Sequence, residues 1–178
     1  GDFDANDPFG FTGAPDGRMY AVRFANDDVQ SFLAAGSVLH TGLFLTDVSD
    51  ASAPVIFESA MLTTGRLNTD GTADIDMNSL LQRQSPFLAQ DTDFATMYFD
   101  LPTILTLFVE IVLELDPDTD LFLVLEVPDG PFPGFSDTPP LIGLDNDTVG
   151  SSFQSDDGGV TFTPRTDVNF FFELVARP

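Results

Sequence analysis

The chain has 178 residues, 43% of them hydrophobic and 19 of them Phe, which is enough to bury a sizeable core in one domain. No apolar run approaches the roughly 20 residues that a membrane-spanning helix needs. Its 24 Asp and 5 Glu face six Arg and no Lys, for a net charge of -23 with no Cys; this excludes nucleic acid and anionic membranes as partners, and disulfides, thiolate metal sites and Schiff-base chemistry as devices.

Residues 1–17 are rich in Asp, Gly and Pro, with Phe3, Phe9 and Phe11 spaced among them. They read as an extended N-terminal arm before a domain over 18–178. The start at Gly1, with neither an initiator Met nor a basic, apolar leader, fits a processed N-terminus. From Arg18 the pattern turns to short β-branched and aromatic runs bounded by Gly, Asp, Asn or Pro: RMYAVRFA at 18–25, VLHTGLFLT at 38–46 and PVIFESAML at 54–62. These predict strands. Residues 79–90 alone suggest a helical turn or two, interrupted by Pro86.

The run TILTLFVEIVLEL at 103–115 fits two patterns. As a helix it has Pro102 in its first turn and Thr106, Glu110 and Glu114 four apart; as a strand it has every second residue from Leu105 to Leu115 aliphatic. The strand is preferred, because LFLVLEV follows at 121–127 across the turn DPDTD and predicts a long hairpin over 104–127. Beyond a Pro-rich loop at 128–140, LIGLD, SSFQS and VTFTP predict further strands, the last two as a hairpin around Asp156–Gly159. The ending DVNFFFELVA reads as a closing strand. Eight to ten strands without intervening helices imply an all-β fold, a two-sheet antiparallel β-sandwich of jelly-roll or Greek-key type.

The ending SSFQSDDGGVTFTPRTDVNFFFELVA resembles the close of secreted bacterial β-sandwich modules: a serine-containing strand, a DGG turn, a T-aromatic-x-P strand and a final aromatic strand. FLVLEVPDG is similar in a weaker way. The resemblance covers about the last 30 residues and implies an extracellular accessory or surface module. Phe162 stands where such modules often place Trp, a departure that puts sugar stacking in doubt.

A nucleophilic triad would need a base, and the one histidine, His40, lies in a predicted strand, where a structural role is expected. Glu110, Glu114 and Glu126 are expected on solvated hairpin faces. Calcium is the physical use for so many carboxylates, since hard cations take six to eight oxygens. Three segments qualify: Asp116, Asp118 and Asp120; Asp145, Asn146 and Asp147; and Asp2, Asp4, Asn6 and Asp7 in the arm. The first begins like an EF-hand loop but lacks its Gly, and Val127 stands where the bidentate Glu belongs. Carbohydrate stacking would fall to Tyr20 and Tyr98, as there is no Trp.

The arm suggests strand addition to a sheet edge of a neighbouring copy, anchored by Phe9 and Phe11. The expected role is therefore a non-enzymatic extracellular or cell-surface structural subunit. It would self-assemble into a filament or surface layer, as a homo-oligomer or homopolymer, with calcium or other cations between acidic faces. The alternative is a secreted carbohydrate- or surface-binding module.

Overall fold

In the computed structural model the described residues are 11–13, 17–34, 38–46, 55–78, 80–84, 87–89, 95–99, 116–130, 141–145, 151–167, 169–170 and 172–177. In chain order they form β1 (Phe11–Gly13), β2 (Met19–Phe24), α1 (Asn26–Ala34), β3 (Val38–Thr46), β4 (Val55–Phe57), β5 (Ser59–Leu67), β6 (Ala73–Ile75) and β7 (Gln82–Gln84). There follow β8 (Phe87–Ala89), β9 (Ala95–Phe99), β10 (Asp120–Glu126), β11 (Leu141–Asp145), β12 (Ser152–Ser155), β13 (Thr163–Pro164), β14 (Asn169–Phe170) and β15 (Phe172–Arg177). The class is all-β with antiparallel pairing. The described residues carry fifteen strand segments, several of two or three residues.

One sheet runs β13-β12-β2-β10-β5-β6, with β7 also on β5. Its two ends meet: Ala73 of β6 bridges to Phe162, just before β13, and the Ala73 N–H donates to the Phe162 carbonyl at 2.9 Å. The sheet is thereby rolled into a nearly closed, six-stranded barrel. Alternation does the rest, because every second residue points to one face. Met19 and Ala21, Met61, Ala73 and Ile75, Phe122 and Val124, Phe153 and Phe162 form one buried cluster drawn from all sides. Closure depends on Gly65, where a Cβ would stand 2.6 Å from the Asp74 carbonyl oxygen and 3.0 Å from a Phe122 ring atom.

The opposite face of β10 is buried as well, through Leu121, Leu123 and Leu125. Strands hidden on both sides read as continuous apolar runs, as DLFLVLE does. The second sheet runs β1-β11-β3-β15, with β14 on β11 and β9 on β3, and β4 pairs separately with β8. Two contacts tie β14 to the barrel: the Phe170 N–H donates to Ser152 Oγ at 2.8 Å, and Phe170 meets Tyr20 edge-on at 5.3 Å.

One expectation is corrected. Within 79–90, Gln82–Gln84 and Phe87–Ala89 are strands, because β5 and β4 offer them backbone partners on either side of Pro86. The helix is instead α1, beginning where the Val29 N–H donates to the Ala25 carbonyl at 3.1 Å; Asp27 and Asp28 suit the positive end of its dipole. Of the expected hairpin over 104–127, the 121–127 half has β2 and β5 on its two edges. Residues 103–115 themselves lie outside the described residues. The expected β12–β13 hairpin is present, Phe153 opposite Pro164, with Gly158 and Gly159 at positive φ in its turn. Within the ending, Asn169–Phe170 and Phe172–Arg177 are strands, β14 pairing with β11 and β15 with β3.

Candidate functional site

Where β2 ends and β10 begins, the barrel mouth opens into a polar cleft of about 490 Å³. Arg23, Asn26 and Asp27 line it from β2 and the start of α1, Arg66 from β5, and Asp118 and Asp120 from the turn entering β10. Arg23 lies on the same face of β2 as Met19 and Ala21, and the barrel interior therefore ends in a charge. Its Nε meets Asp120 Oδ2 at 2.7 Å, with the Asp120 side chain 11% exposed. The other oxygen, Oδ1, accepts the Asn26 N–H at 3.0 Å, and Asn26 Nδ2 donates to the Thr119 carbonyl at 2.6 Å. One carboxylate thus closes the mouth and caps an otherwise unpaired donor of α1.

The outer rim is wetter. Arg66 Nη2 meets Asp116 Oδ2 at 2.6 Å with both side chains about half exposed, a pair worth at most about 1 kcal/mol. Asp116 Oδ1 accepts the Asp118 N–H at 3.1 Å, closing the turn around Pro117. Asp116, Asp118 and Asp120 do gather at one place. Two of the three carboxylates are already taken by arginine, however, and among the described residues no group of three or more His, Cys, Asp or Glu is placed to hold a metal ion.

Asp145 is the last residue of β11, its backbone opposite Asn169. Asp147, Asn146, the arm acids Asp2 to Asp7, Phe3 and Phe9 lie outside the described residues, as do Glu110 and Glu114. Phe11 opens β1, which pairs with β11 of the same chain, Phe11 opposite Gly143. The end of the arm is therefore a strand in cis. The His40 backbone lies in β3 opposite Val175. Glu126 is only partly exposed: it accepts the Ser59 hydroxyl at 2.6 Å and lies 3.5 Å from Arg83, and the solvated reading of this residue is corrected. Tyr20 is buried, its hydroxyl pKa raised by desolvation, and Phe162 is 1% exposed in the core. Neither offers a face for stacking. Tyr98 is in β9, its backbone opposite Gly42.

Sequence reasoning missed Arg23, Asn26 and Arg66. A signal existed for the first: an arginine in register with inward Met19 and Ala21 demands a buried acidic partner.

The DGG turn is a second ordered polar feature. Asp157 Oδ1 accepts the Val160 and Thr161 N–H groups at 3.1 and 2.9 Å and the Ser155 hydroxyl at 2.7 Å. The Thr161 N–H and then the Ser155 hydroxyl hold its carboxyl below the ordinary aspartate range. A depressed folded pKa stabilises the turn above the unfolded value of about 3.9, and this is lost as pH falls through the folded value. Amide-exchange protection at Val160 and Thr161 is expected to drop over that window while that of β10 persists; equal protection on both sides of it would refute the assignment. The readout is local because protonation elsewhere relieves self-repulsion and acts in the opposite sense.

In comparisons with protein-family models, curated proteins and solved structures, nothing matches the chain.

Proposed function

We propose that the chain is a non-enzymatic structural subunit of an extracellular or cell-surface assembly, joining copies of itself into a filament or layer with cations between acidic faces. The observation that carries this reading is the fate of the arginines. Arg18, Arg23, Arg66, Arg83 and Arg165 each meet a carboxylate of their own chain within 3.5 Å. Countercharge for most of the 29 acids must then come from solution. Facing copies repel over a Debye length of about 8 Å at physiological salt, and divalent cations or more salt remove that barrier.

The pairing of β1 with β11 supports a route to assembly. β1 terminates its sheet path and supplies only three residue pairs. The same pairs made by the arm of a neighbour would add a strand in trans, and a head-to-tail exchange that does not close builds a polymer. The architecture that suits it is the two-sheet, jelly-roll-like sandwich, with the second sheet over the outer face of β2, β10 and β5. Calcium, as a carboxylate-seeking cation, acts in this reading between copies rather than in a cage within one. A carbohydrate-binding role has less support, since of the described aromatic side chains Tyr20, Phe57, Phe122, Phe153, Phe162 and Phe170 are buried and Phe24 is half-buried.

Light scattering of the purified protein is expected to rise with calcium or salt and fall with chelator. Deleting residues 1–16 should leave a folded monomer. Monomers under every ionic condition, with the arm intact, would sink the reading.

A further inference from the structure

An Asp–Gly step is where a backbone can rearrange through its own side chain, because glycine has no Cβ to hinder its nitrogen from approaching the preceding carboxyl carbon. The chain has four: Asp16–Gly17, Asp70–Gly71, Asp129–Gly130 and Asp157–Gly158. At three of them the fold occupies a reacting group. The Gly17 N–H donates to the Pro128 carbonyl at 3.1 Å, and the Gly71 N–H to the Asn68 carbonyl at 3.0 Å. Asp70 Oδ1 also accepts the Thr72 N–H at 3.0 Å and its hydroxyl at 2.7 Å. Asp157 is held by the three donors of its turn.

Asp129–Gly130 differs in each respect. Asp129 is exposed, and among the described residues no donor reaches its carboxylate and no acceptor takes the Gly130 N–H. Gly130 has φ of 107°, and nothing lies within 4 Å of where its Cβ would be. Among the described residues nothing holds the nucleophile and the carboxyl carbon apart.

We propose that Asp129–Gly130 is the site at which this folded chain forms isoaspartate. The Gly130 nitrogen attacks Cγ of the protonated Asp129 carboxyl, a C–N bond forms as the C–OH bond breaks, and the hydroxyl leaves with the amide proton as water, giving a succinimide. Water then adds to either ring carbonyl. Opening at the α-carbonyl leaves the main chain running through Cβ and Cγ, with a free α-carboxylate and no net change in composition. The inserted carbon falls directly after Pro128, whose carbonyl receives the Gly17 N–H.

The test ages the intact protein for weeks in warm neutral buffer below its unfolding temperature. Peptide mapping with electron-transfer fragmentation, which separates isoaspartate from aspartate, then reads each step. Asp129 is expected to carry several-fold more isoaspartate than Asp16, Asp70 or Asp157, and ageing in urea should level the four. Asp129→Glu, which lengthens the ring that must close, should abolish the signal in a protein with an unchanged circular dichroism spectrum. Comparable accumulation at the four steps of the folded protein, a lead at Asp70 or Asp157, or none at Asp129 while the urea-unfolded chain isomerises there, would each overturn the assignment.

Discussion

Phe122→Ala is expected to lower the free energy of unfolding by about 4 kcal/mol, within the range for emptying an aromatic site that cannot collapse. The Phe122 ring is fully buried and meets Phe153 edge-on at 5.9 Å. It stands 3.0 Å from the position a Cβ would take on Gly65. Relaxation into the vacated space is opposed from two sides. β10 is paired along its length with β2 and β5, and β5 already approaches β6 as closely as glycine permits. Phe122→Leu retains most of the volume and should cost less than about 1.5 kcal/mol. Val160, 82% exposed on the DGG turn, is the contrast, and Val160→Ala should fall within about 0.5 kcal/mol. Urea melts with unchanged m-values check all three; equal losses for Phe122→Ala and Val160→Ala would show that the barrel interior is not the centre of stability.

Much of this barrel was legible in the residues. Short β-branched and aromatic runs bounded by turn residues mark β2 and β10, and the DGG turn between SSFQS and VTFTP marks the hairpin of β12 and β13, because both signals are local. Partners across the sheet are another matter. Short connections favour sequence neighbours, which points β10 to the apolar run directly before it, yet its partners are β2, roughly a hundred residues away in sequence, and β5, roughly sixty away. The helix at Asn26 was hidden for a similar reason: N-D-D resembles a turn, and what completes the helix start is the carboxylate of Asp120, 94 residues on. The spacing of Asp116, Asp118 and Asp120 suggests a calcium site, and in the structure Asp116 meets Arg66 and Asp120 meets Arg23. Carboxylate spacing alone could not reveal that arginines from β2 and β5 would occupy it.

That occupation makes Asp120 the second position of large effect. Asp120→Ala removes at once the partner of Arg23 and the acceptor for the Asn26 N–H. Breaking a buried pair from one side costs about 3–5 kcal/mol, and losing a helix cap about 1 kcal/mol. Arg23 keeps 28% exposure of its side chain and can turn to water, so the expected loss is about 3 kcal/mol. Asp120→Asn, which still offers an oxygen to α1 but no charge to Arg23, should lie between. A double-mutant cycle with Arg23→Ala is expected to return a coupling of about 1–3 kcal/mol, and exchange protection at Val29 should fall in Asp120→Ala ahead of global unfolding. The same variant separates the pair from the calcium site that the acidic spacing suggested. If Asp120 ligated an ion, calcium would raise the Tm of the wild type and Asp120→Ala would erase that increment. An Arg23 pair predicts that any Tm shift with calcium is the same in both proteins.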